Sequence, residues 1–200
     1  MMLKEDFTIL CQERSKQSKC IAETAAQLHA SVNQKYDTDL PYSFHLRLAA
    51  SYATRFGHLA LNEEKDFDTL MAATYFHDTI EDARLSYNDL KKIFTRLNDE
   101  GCSINIAAAA EIVYALTNDK GRSRQERAGE KYYEGIRSTP YAPFVKMCDR
   151  LANIRYSTLF FEQSRMAEIY RKEHPHFLAS IGDVPQEMAA EAERMLGEIA

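Results

Sequence analysis

The sequence predicts an all-α protein. Helix formers dominate almost every stretch, and runs of β-branched residues are scarce. The seven Gly and five Pro gather at a few positions, so they read as punctuation between helices. With 45% hydrophobic and 28% charged residues over 200 positions, the chain can bury a substantial core without staples.

A first long helix is expected from about Glu5 to Asn33. The polar segment ending in Pro41 forms a loop, and Pro41 suits a new helix start. The second helix runs from about Tyr42 to Phe56 and stops at Gly57. The third spans about Phe67 to Glu81, with Asp66 as its N-cap. A short fourth covers Tyr87 to Leu97 and breaks at Gly101. Ser103 to Leu116 is a fifth, and Arg124 to Arg137 a sixth and highly charged one. Ala142 to Phe161 is a seventh. The tail holds one or two more, interrupted at His174-Pro175 and at Gly182-Asp183-Val184-Pro185.

Several function classes recede on composition. A net charge of −5 argues against a general nucleic-acid binder. It leaves room for an anionic small molecule, because a metal and a few basic side chains can reverse the local field. Cys11, Cys20, Cys102 and Cys148 form no CxxC pair and read as reduced thiols. No window approaches the roughly 18 apolar residues of a membrane span, so a cytoplasmic protein with no membrane partner is expected. The sequence is compatible with a homo-oligomer and does not fix the state.

Polar residues break the helical pattern in three places. On the third helix, Phe67, Leu70, Met71 and Thr74 form an apolar stripe that His77, Asp78, Glu81 and Asp82 continue. Buried charges need partners or a metal. On the second, His45 shares a face with Leu48, Ala49, Tyr52 and Phe56; alone, it would read as a core histidine. The seventh is apolar nearly all round yet carries Asp149 and Asn153 at i and i+4. Asp149 has a plain alternative in pairing with Arg47, Arg150 or Arg155. His45, His77, Asp78 and Asp149 together make an imidazole–carboxylate set suited to a first-row divalent ion. Glu81 and Asp82, one turn on, are placed to position or deprotonate a water.

The string HDTIEDA (His77 to Ala83) resembles the HDxxED signature of RelA/SpoT-type hydrolase domains and their small stand-alone relatives, within the HD superfamily of metal-dependent phosphohydrolases. PYSFHL (Pro41 to Leu46) resembles that family's PYxxH motif, and VKMCDRLANIR (Val145 to Arg155) its KLADRxxN segment. The match runs from about Ala22 to Thr158. The resemblance implies an HD-domain helical bundle over residues 1–200, with a motif-bearing core at about 22–160 and a C-terminal helical extension at about 161–200. It implies one divalent ion, typically Mn²⁺, on His45, His77, Asp78 and Asp149. Glu81 and Asp82 would position the attacking water and shuttle its proton, with Asn153 beside the substrate. The implied reaction removes the 3′-pyrophosphate of (p)ppGpp.

The sequence departs from the family at the RKSG-like stretch that helps to hold the nucleoside. Tyr36-Asp37-Thr38-Asp39 stands there, with Lys35 as a neighbouring cation. Another nucleotide substrate (a nucleoside monophosphate or a dinucleotide phosphate) and a non-catalytic metal-binding HD module are therefore the alternatives. Arg124, Arg127 and Lys131 recur on one helical face. They read equally as a phosphate clamp, led by Arg124, or as a solvated face laced with Arg–Glu pairs. His29 reads as structural, the HPH triplet at His174 to His176 as a surface loop, and Tyr36, Tyr132, Tyr133 and Tyr170 as core more than as base-stacking groups.

Overall fold

The protein, described from a computed structural model, is defined over residues 2–118, 123–160 and 165–198, without the side chains of 124 and 125. In chain order the helices are α1 (Lys4–Glu13), α2 (Ser15–Ser31), α3 (Ser43–Phe56), α4 (Phe67–Phe76), α5 (Tyr87–Asp99), α6 (Ile106–Leu116), α7 (Arg124–Arg127), α8 (Glu130–Ser138), α9 (Ala142–Leu159), α10 (Met166–Ile181) and α11 (Gln186–Gly197). No strand occurs among the described residues, and no helix there is long and apolar enough to cross a membrane.

The apolar stripes explain the arrangement. α4 is buried nearly all round, and α3 and α9 pack against it and against each other. α2 covers α3 and α4 on one side, and α6 covers α4 on another, with α5 outside α6. α8, α10 and α11 pack onto α9. The three helices that carry the polar anomalies therefore form the centre of the bundle.

The expected first helix is instead two, broken at Arg14. The reason is tertiary. Asp68 is the one charged residue of α4 and is 2% exposed. Arg14 donates from Nε to its Oδ1 at 3.0 Å and pairs with its Oδ2, which also accepts from the Ser103 amide at 2.6 Å. The break lets α1 lie against the turn at Gly57–Leu59, where Phe7 occupies the space a side chain at Gly57 would need. A Cβ at Gly57 would meet Phe7 Cζ at 2.4 Å. Gly57→Ala is thus expected to displace α1 and cost about 1–3 kcal/mol in denaturant unfolding, as overpacking does elsewhere. An unchanged midpoint would show that Phe7 yields freely.

Other boundaries also shift for physical reasons. α4 ends at Phe76, not near Glu81, because Thr79 donates both its amide (3.0 Å) and its hydroxyl (2.6 Å) to the Phe76 carbonyl. Asp66 stands at the N-cap position without capping; its carboxylate accepts from the Tyr141 hydroxyl at 2.9 Å. The expected sixth helix is split into α7 and α8 at the extended Gly129. α10 runs through Pro175, which is exposed, while Tyr170, His174 and Phe177 face inward. That buried face outweighs the lost N–H bond. The HPH triplet is therefore helical, not a surface loop.

Candidate active site

His45 is fixed on α3, and His77 and Asp78 stand in the turn just beyond α4. Asp149 comes from the middle of α9. On a regular helix the neighbours His77 and Asp78 would diverge by about 100°. In this turn, His77 Nε2 and Asp78 Oδ2 lie 2.8 Å apart. His45 Nε2 is 3.2 Å from His77 Nε2 and 3.3 Å from Asp149 Oδ1. One ligand atom from each of the four lies within 4.8 Å of all the others.

The donor chemistry suits a divalent cation. His77 Nδ1 is 2.8 Å from the Thr74 carbonyl, which can only accept, so the neutral ring carries its lone pair on Nε2, facing the centre. Two imidazole nitrogens and two carboxylate oxygens then converge on one point. Burial alone would push both imidazoles down, but Asp149 and Asp78 hold them above their ordinary value. Burial would push both carboxyls up; the His77 charge at Asp78 and the Lys146 ammonium at Asp149 outweigh it and hold them low. The surroundings thus favour positive charge at this point, which a divalent ion brings.

Supporting bonds fix the ligands. The Tyr42 hydroxyl donates to Asp78 Oδ2, and the ring is stacked on buried His29 at 4.3 Å. Lys146 donates to Asp149 Oδ2 at 2.9 Å, and Asn153 Nδ2 donates to Asp149 Oδ1. Tyr36 is stacked on His45 at 4.9 Å and donates to Asn153 Oδ1 at 3.0 Å. The centre opens into a cavity of about 500 Å³ that reaches α8 and α10.

The chain is similar to two curated 3′-pyrophosphohydrolases. It is 27% identical over 131 residues to the guanosine-3′,5′-bis(diphosphate) 3′-pyrophosphohydrolase MESH1 of Danio rerio, covering 66% of this chain and 63% of that protein. It is 31% identical over 90 residues to MESH1 of Drosophila melanogaster, covering 45% of this chain and 44% of that protein. The chain thus matches less than two thirds of either relative's length. No family model matches it.

Set beside the sequence expectations, the four ligand candidates come together. Glu81 lines the cavity, held by Asn118 Nδ2 at 3.3 Å from its Oε2. Burial and the Asp78 charge push its carboxyl above the ordinary range. Asp82 is half-buried and raised by the same two causes, with the Tyr42 hydroxyl acting against them. Asn153 lines the cavity, but both ends of its amide already serve Tyr36 and Asp149. Lys35 is exposed and donates to the Thr38 carbonyl at 3.2 Å, outside the cavity lining. The Arg124 side chain lies outside the described residues. Sequence reasoning missed Lys146, although its i−3 spacing from Asp149 on α9 is a legible pairing signal. It also missed the wall that α10 contributes through Tyr170, Lys172, His176 and Phe177.

Proposed function

We propose that this protein is a metal-dependent phosphohydrolase of a phosphorylated nucleotide, acting as a (p)ppGpp 3′-pyrophosphohydrolase. The observation that carries the reading is the convergence of His45, His77, Asp78 and Asp149 beside a cavity of about 500 Å³. The activity of the two relatives supplies the substrate class. We take Mn²⁺ as the resident ion, since a mixed imidazole–carboxylate set suits a first-row divalent metal. When bound, that ion supplies Lewis acidity toward a phosphoryl group and toward water. The four free cysteines fit a reducing, cytoplasmic setting.

In this mechanism, Glu81 takes the proton of the attacking water. Its raised carboxyl faces the cavity, and the Asn118 amide fixes its orientation. The water oxygen bonds to phosphorus as the bond from phosphorus to the ribose 3′ oxygen breaks; the 3′ oxygen takes up the proton that Glu81 received, and pyrophosphate is released. Asp82 shares the Tyr42 hydroxyl with Asp78, and burial together with the Asp78 charge raises its carboxyl, which suits it to help position the water and pass on its proton. Lys146, beside Asp149, offsets the negative charge that a phosphorylated ligand brings. The direct test is release of pyrophosphate from a nucleotide panel with added Mn²⁺. Glu81→Gln is expected to lower kcat by about 10²–10⁴ while keeping Mn²⁺-dependent thermal stabilisation. Wild-type-like turnover in that variant would remove Glu81 from the proton path.

A second reading keeps the chemistry and changes the nucleotide. It is favoured by Tyr36, which covers His45 at the place where the resembled family holds the nucleoside with basic residues. Faster turnover of another nucleotide in the same panel would establish it.

A further inference from the structure

The two histidines of the centre are held differently. His77 is anchored by its outer nitrogen, Nδ1, which meets the Thr74 carbonyl at 2.8 Å. The outer nitrogen of His45 is buried and meets no hydrogen-bond partner among the described residues. A metal-binding imidazole generally has its second nitrogen tied to a carboxylate, a carbonyl or water, which fixes the ring. At His45 two tyrosine rings take that place. Tyr36 lies on its face, 4.9 Å away and within 14° of parallel, and Tyr42 stands against it at 5.5 Å and 67°.

Asp149 depends on Tyr36 as well. A carboxylate only accepts, so the Asn153 amide must turn Nδ2 toward Asp149 Oδ1. That orientation leaves Asn153 Oδ1 in need of a donor, and the Tyr36 hydroxyl supplies it at 3.0 Å. A flipped amide would set its oxygen against the carboxylate. The 33–41 loop holds the tyrosine in place. The Tyr36 amide donates to the Leu40 carbonyl at 3.0 Å, inside a bridge between Lys35 and Pro41. The Tyr156 hydroxyl donates to Asp37, which ties the loop to α9, and the Tyr156 ring meets that of Tyr36 edge-on at 4.8 Å.

We propose that Tyr36 is a positioning residue for the metal ligands: its ring orients His45, and its hydroxyl, acting through Asn153, orients Asp149. One side chain of the loop then fixes the first and the last of the four ligands in chain order. The inference rests on the metal centre proposed above and gives the 33–41 loop a part in holding the ion.

The test is titration of the wild type and variants with Mn²⁺ alone, read from the paramagnetic resonance signal of the free ion. Tyr36→Phe keeps the ring and loses the hydroxyl. It is expected to weaken Mn²⁺ binding by about 3- to 10-fold, the share of one hydrogen bond. Tyr36→Leu loses both and is expected to weaken it by about 10- to 100-fold. In an Asn153→Ala background, Tyr36→Phe is expected to cost nothing further, because its effect runs through that amide. A purely structural tyrosine would instead lower the metal-free unfolding midpoint and leave the Mn²⁺ affinity alone. Wild-type affinity in Tyr36→Phe, or an equal loss with and without Asn153, overturns the inference while the metal centre stands. A wild-type protein that takes up no Mn²⁺ overturns the metal centre itself, and the inference with it.

Discussion

Asp149→Ala is expected to lower hydrolysis by about a thousandfold and to abolish stabilisation by Mn²⁺. Losing a ligand forfeits several kcal/mol of transition-state stabilisation, and about 4 kcal/mol corresponds to that factor. The same substitution removes the carboxylate that Lys146 and Asn153 both serve. Wild-type protein at a hundredfold excess of Mn²⁺ over its dissociation constant should gain about 2.7 kcal/mol. For a chain of this size that is roughly 5–10 °C in Tm. A thermal-shift titration of both proteins reads this directly. A variant that keeps the Mn²⁺ response would show that the ion binds elsewhere.

The second large effect is structural and lies away from the chemistry. Arg14→Met leaves Asp68 buried in α4 with the Ser103 amide but without its cation. Breaking a buried pair by removing one partner costs about 3 kcal/mol or more. Urea unfolding should show that loss. Asp68→Asn/Arg14→Met, which removes both charges, should recover part of it. If the single variant is as stable as the wild type, the pair is not what fixes the break between α1 and α2.

The sequence revealed best what a helical face can carry. His45 and Asp149 were legible because each interrupts an otherwise apolar surface, and both helices formed close to the expected bounds. The end of α4 was not legible, since it depends on Thr79 turning back to Phe76, and a periodic pattern contains no such local competition. The break at Arg14 was hidden because its partner is 54 residues away. Tyr36 was assigned to the core on its residue type. It is half-buried, and its position over His45 follows only from how the loop folds onto α9. The α10 wall was invisible for the same reason: Lys172 and His176 meet the cavity through tertiary packing alone.

Arg150 directly follows Asp149 in α9, and its guanidinium lies 4.4 Å from the Tyr170 ring and 4.8 Å from the Phe177 ring, with Glu173 at 3.2 Å. All three partners belong to α10, which follows all four candidate ligands in the chain. The tail thus supplies both the counter-charge and the aromatic faces for a cation that adjoins Asp149. The segment that looked like an appendage is a wall of the site.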